Sequence, residues 1–102
     1  MLHQVGLAEK FALGRTFESL CDNPMPLYAI IRCLEIISEA SRRLSAELKT
    51  RHTQIPWPEM AAAGNFYRHK YEDVLPQRVW KTLQEDLPPL RKVIEEELAG
   101  ER

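Results

Sequence analysis

Ile30 to Leu48 reads IIRCLEIISEASRRLSAEL. Within it and just beyond its start, Ile30, Cys33, Leu34, Ile37, Ala40, Ser41, Leu44 and Leu48 recur every three or four residues. That spacing lays an apolar stripe along one side of an α-helix. Arg32, Glu35, Glu39, Arg42, Arg43, Ala46 and Glu47 fill the opposite side with mixed signs, the pattern of a solvated surface. The spacing predicts one helix from about Met25 to Leu48. Its middle, Ser38, Ala40 and Ser41, is small enough for another helix to come close.

Downstream, a helix is expected to start at Pro58 or Glu59 and run through MAAAGNFYRHKY to roughly Tyr71. Proline is tolerated in a first turn, and a carboxylate there suits the helix dipole. Ala61 to Gly64 makes one side of this helix narrow, which reads first as tight packing. Together with Trp57, that strip is also a candidate for contact near a two-fold axis. After Pro76, Val79, Trp80, Leu83, Leu87, Leu90, Ile94 and Leu98 mark a last helix. Pro88-Pro89 removes two backbone donors, so a kink or a restart capped by Asp86 is expected. Upstream, Val5, Ala8, Phe11 and Ala12 suit a short helix, and Phe17 and Leu20 a further turn beyond Gly14. No stretch alternates long enough for a strand. The expectation is a single all-α domain over residues 1–102, an up-and-down bundle of four to five helices. A bundle this thin has a limited core, and dimerisation would bury more apolar surface.

The 14 basic and 15 acidic side chains give a net charge of −1, so the chain as a whole is not a strongly basic nucleic-acid binder. Arg42, Arg43, Lys49, Arg51, Arg68 and Lys70 do gather in the middle third, which leaves room for a local basic surface. Cys21 and Cys33 have neither metal-ligand nor redox spacing and are expected to be half-buried free thiols. MLHQVGLAEKF cannot form the apolar core of a signal peptide, and no run reaches transmembrane length. These features favour a reducing cytoplasm, no membrane contact, no metal and no cofactor. There is no glycine-rich phosphate loop and no nucleophile motif. Trp57 and Trp80 read as core or interface anchors. Neither His3 nor His52 has a ligand partner visible in the sequence.

Chemistry is concentrated on the Pro58–Tyr71 helix. Asn65, Arg68, His69 and Glu72 stand at i, i+3, i+4 and i+7 and so share one face. A histidine can move a proton near neutral pH, an arginine can hold a phosphate through two bonds, and an asparagine can orient a phosphate or the imidazole. Polar residues on an exposed helix face also form such sets with no function, so spacing alone does not decide.

Three segments taken in order resemble the HepT-like branch of the HEPN domains. They are IIRCLEIISEASRRLSAEL (Ile30–Leu48), RHTQIPWPEM (Arg51–Met60) and GNFYRHKY (Gly64–Tyr71), followed by VWKTLQEDLPPL (Val79–Leu90). The resemblance covers roughly Phe17 to Leu98, and the chain before Phe17 looks shorter than usual for the family. It implies an all-helical HEPN-type bundle that forms a homodimer, with the motif helices of two subunits bordering a shared cleft. It further implies a toxin of a two-component toxin–antitoxin system, active in metal-independent RNA cleavage. The implied partner is a small nucleotidyltransferase, which silences the toxin by adding AMP to the motif tyrosine. The family motif is an arginine, usually a polar residue next, three further positions, then histidine, any residue and tyrosine. On this sequence the polar residue is Asn65, the histidine His69 and the tyrosine Tyr71, while the arginine position falls on Gly64. Arg68 is the nearest substitute for the missing charge, but it lies one residue, about 100° of helix, from His69. The resemblance thus assigns catalysis to His69, Arg68 and Asn65, and RNA contact or AMP acceptance to Tyr71. Its alternative, drawn from Gly64, is a catalytically silent HEPN protein that binds the nucleotidyltransferase.

Overall fold

The computed structural model describes residues 1–69 and 75–100, without the side chains of Arg68, His69 and Leu75. Among the described residues there are helices and no strands, as the sequence predicts. They are α1 (Leu2–Ala12), α2 (Phe17–Asp22), α3 (Pro24–Ser41), α4 (Ala46–Arg51), α5 (Trp57–His69), α6 (Leu75–Lys81) and α7 (Leu87–Gly100), with a π turn over Thr82–Asp86. The segments are more numerous than four to five because two expected long helices are each interrupted.

The first interruption corrects the Met25–Leu48 expectation. α3 ends at Ser41, and residues 42–45 form a turn. Ser41 Oγ donates to the carbonyl of Ser38 at 2.7 Å, a back-bond that competes with the helix ladder. Ser45 then caps a new helix, its Oγ accepting from the amide of Leu48 at 3.1 Å. The apolar periodicity carries across the turn, which is why the sequence reads as continuous. The second interruption is at Pro88-Pro89. No break or Asp86-capped restart occurs there; the helix widens into the π turn, and Leu87 N–H donates to the carbonyl of Thr82. Each proline ring would crowd the carbonyl four residues earlier, and the extra residue in the turn relieves that crowding.

Upstream, Gly14 has φ +76°, the left-handed conformation that ends α1 cleanly. Thr16 and Ser19 then form a reciprocal capping box that starts α2. α3 lies at the centre with α1 and α5 packed along it, while α7 and the π turn close the bundle against α1. The core is built from Val5, Leu20, Ile30, Ile37, Val79 and Leu90, with Trp57 and Tyr67 contributed by α5. The indole N–H of Trp57 donates to the carbonyl of His52 at 3.0 Å, so its polar atom is satisfied. Trp57 is 8% exposed and belongs to the chain's own core, so it is not available at a two-fold axis. Trp80 is half-buried, edge-on to Phe17. The cysteines are not half-buried: Cys21 is exposed and Cys33 buried, and burial raises the Cys33 thiol pKa. No helix among the described residues is long and apolar enough to cross a membrane.

α4 and α7 are joined by charge. Glu97 accepts from Arg51 Nη2 at 2.6 Å and lies 2.5 Å from His52 Nε2. His52, without a visible partner in the sequence, therefore finds one 45 residues away. The hydrogen bonds from Arg51 and then His52 hold the Glu97 carboxyl at a pKa of about 2, below the ordinary 4.5. A carboxyl depressed in the folded state stabilises it above the unfolded pKa, and that contribution is lost as pH falls through the folded one. Stability should therefore decline between pH 4.5 and about 2, and Glu97→Gln should flatten that part of a urea-unfolding profile against pH. An unchanged slope in the variant would show that the clamp contributes nothing.

Candidate active site

α5 has three distinguishable sides. Trp57, Gly64 and Tyr67 are buried toward the core, and Met60, Ala61 and Ala63 are partly covered. Asn65 is exposed. A helix advances about 100° per residue, so Asn65, Arg68 and His69, at i, i+3 and i+4, share the last turn on one side. The backbone thus brings these three sequence-predicted residues together. Tyr71 and Glu72, the other members of the predicted set, lie outside the described residues.

Gly64, at the motif arginine position, is where α5 touches α3. Its amide donates to Ser38 Oγ at 3.0 Å, and a Cβ on residue 64 would stand 3.1 Å from that oxygen. The narrow Ala61–Gly64 strip is therefore a packing surface within the subunit at Gly64, and this buried residue is not available for contact at a two-fold axis. The small residues Ser38 and Ser41 predict the close approach; nothing in the spacing predicts that the Ser38 hydroxyl bonds to the α5 backbone. Position 68 stands one turn beyond position 64 on the same side of the helix, since the two are i and i+4.

Three of the six basic side chains in the middle third are compensated. Arg42 and Arg43 pair with Glu39 at 3.6 and 3.9 Å, and Arg51 pairs with Glu47 and Glu97. They do not form a free basic surface around α4. Among the described residues, no group of three or more His, Cys, Asp or Glu side chains is placed to hold a metal ion.

The sequence did not single out the opposite side of α5. Tyr67 Oη and Thr82 Oγ1 are 3.2 Å apart, and Thr82 Oγ1 donates to the carbonyl of Arg78 at 3.0 Å. Burial pushes the Tyr67 phenol above its ordinary pKa. The Arg78 guanidinium lies 5.4 Å from the centre of the Phe66 ring, a cation–π arrangement. Tyr67, Arg78 and Thr82 border a half-open cavity of about 170 Å³ that Leu34, Ile37 and Leu90 also line. Tyr67 is two residues from both Asn65 and His69, so the cavity and the predicted site occupy different sides of the helix. The only signal in the sequence was the tyrosine itself, which reads equally well as core.

Because Ser38 Oγ is fixed by two hydrogen bonds, a larger residue at position 64 has to displace it. Gly64→Arg, which writes the family arginine into this chain, should lower stability by about 1–3 kcal/mol. The urea midpoint of the variant measures this, and a midpoint at or above wild type would mean that Ser38 yields freely.

Comparison with known proteins fits this fold and this helix. The family model described as "Ribonuclease HepT-like" matches residues 1–97, so the relationship reaches the amino-terminal helix and does not begin near Phe17. A Thermococcus cleftensis protein named "Probable ribonuclease HepT" is 41% identical over 88 residues, 85% of this chain and 79% of its own length. A Methanocaldococcus jannaschii protein carrying an RNase name is 37% identical over 86 residues, 84% of this chain and 79% of its own. Another with an RNase name, from Caldanaerobacter subterraneus, is 34% identical over 89 residues, 87% and 80% of the two chains. No solved structure matches the chain significantly. The chain belongs to the ribonuclease HepT-like family of HEPN domain proteins.

Proposed function

We propose that this protein is a metal-independent endoribonuclease of the toxin–antitoxin kind, working in the cytoplasm as a homodimer of single-domain subunits. The observation that carries the reading is the joining of family membership over residues 1–97 with the His69-x-Tyr71 half of the motif in the sequence, its histidine closing α5. Two copies of the α5 end would border one cleft, and RNA would lie across it.

In the proposed reaction the ribose 2′-oxygen attacks the adjacent phosphorus, forming a new P–O bond while the bond to the 5′-oxygen breaks. The 2′-hydroxyl loses its proton and the leaving 5′-oxygen gains one. His69 assists one of these transfers, imidazole being a side chain able to move a proton near neutral pH. Arg68 stabilises the charge that builds on the phosphoryl oxygens, and Asn65 fixes the phosphate or the imidazole. None of these steps calls for a cofactor. Tyr71 contacts RNA and accepts AMP from a cognate nucleotidyltransferase. Its phenol oxygen bonds to the α-phosphorus of ATP, and pyrophosphate leaves. The added phosphate puts negative charge where an RNA phosphate would sit, which suits neutralisation of the toxin.

Gly64 supports a second reading, a catalytically silent member that serves as the nucleotidyltransferase's docking partner. With Ser38 pressed against position 64, the motif arginine has no ready substitute there.

Metal-free RNA cleavage by wild type should fall by about 10²–10⁴-fold in His69→Ala, with products ending in 2′,3′-cyclic phosphate. Equal rates in the two proteins would remove the assignment of His69. If neither cleaves and intact mass shows Tyr71 unmodified, the docking reading stands. Incubation with the cognate nucleotidyltransferase and ATP should add AMP to wild type and none to Tyr71→Phe. An unchanged wild-type mass would sink the modification.

A further inference from the structure

Ser38 is buried, yet its hydroxyl does not satisfy itself within α3. It donates to the carbonyl of Ala61 at 3.1 Å and accepts from the amide of Gly64 at 3.0 Å. Both groups belong to the same turn of α5. In a regular helix the carbonyl of residue 61 serves the amide of residue 65, and the amide of residue 64 uses the carbonyl of residue 60. A side chain that engages both groups from outside competes with that ladder, and such insertion is a recognised cause of helix bending. Arg42 adds to the competition at the same carbonyl, donating from Nη2 at 2.8 Å and from Nε at 3.2 Å. Three side-chain contacts, one from α3 and two from the residue that follows it, thus converge on Ala61 O, four residues before Asn65 and eight before His69. Glu39 holds the Arg42 guanidinium from the other side at 3.6 Å.

We propose that Ser38, supported by Arg42, is a positioning residue for the candidate active site. It pins α5 at Ala61 and Gly64 and thereby sets the direction of the last turn, which carries Asn65, Arg68 and His69. Glycine at position 64 follows from the pin, because a Cβ there would meet the bridging oxygen at 3.1 Å. The position of the motif arginine is given over to a backbone clamp, and Arg68 on the next turn of the same side becomes the cation that the clamp aims. This rests on the assignment of Asn65, Arg68 and His69 to the site.

The test compares the 102-residue protein as wild type, as Ser38→Ala, and as Ser38→Ala combined with Gly64→Ala. The last fills the space left by the hydroxyl without restoring its bonds. In Ser38→Ala the Gly64 amide should exchange with solvent faster, and the His69 imidazole resonances should move. On a metal-free single-stranded RNA of mixed sequence, kcat should fall by about ten- to a hundredfold with KM nearly unchanged, as expected for misdirected catalytic groups. The double variant should recover the unfolding midpoint while kcat and the His69 resonances stay displaced. Recovery of kcat together with stability would overturn the proposal, since Ser38 would then act only through packing. A wild-type protein that cleaves no RNA removes the ribonuclease reading alone. The clamp is then judged on His69, and resonances identical in wild type and Ser38→Ala would overturn it.

Discussion

One hydroxyl group, on Ser38, bridges α3 to the backbone of α5, and the packing of these two helices depends on how it is satisfied. A buried hydroxyl without a partner destabilises a fold by roughly 1–3 kcal/mol. Here its partners are the main-chain carbonyl of Ala61 and the amide of Gly64, so the two helices are locked in both register and separation. Hydrophobic burial along α3 supplies the bulk of the driving force but is not directional. Leu34 and Ile37 would tolerate a small slide of α5, whereas the serine bridge would not.

That lock bears on the chemistry because the candidate site is the continuation of the same helix. Asn65 begins the turn immediately after Gly64, and His69 ends the described part of α5. Position 64, which the resemblance aligns with the family arginine, contributes contact and no charge in this chain. The surrounding cations do not obviously make up the difference. Arg42 is turned onto Ala61 and Glu39, and Arg51 onto Glu97 and Glu47. Arg68 follows one helical turn after position 64.

The carboxy-terminal half uses a different device. Pro88 and Pro89 fall inside a helix and are accommodated by a π turn, which keeps Leu83, Leu87 and Leu90 in the core. The same turn presents Thr82 to Tyr67, joining α5 to the other side of the bundle through a pair of hydroxyls. α5 is consequently held by polar contacts at Gly64 and at Tyr67, while Asn65 lies at the exposed surface.

Local periodicity determined the fold class: spacings of three and four at Ile30, Cys33, Leu34 and Ile37, and again at Val79, Leu83, Leu87 and Leu90, define buried helix faces whatever they pack against. That Asn65, Arg68 and His69 share one side of a helix follows from their spacing alone, whereas their place in a site rests on the resemblance. Helix ends were less legible. Periodicity ran unbroken through residues 42–45, where Ser41 and Ser45 turn the chain, and across Thr82–Asp86, where the proline pair forces a wider turn. Only tertiary structure decided the partners of Ser38, Arg42, His52 and Glu97, which lie 19 to 46 residues away in sequence. It also decided that Trp57 and Gly64 face their own subunit. Such contacts depend on the distance between helices, and no pattern along one helix encodes that distance.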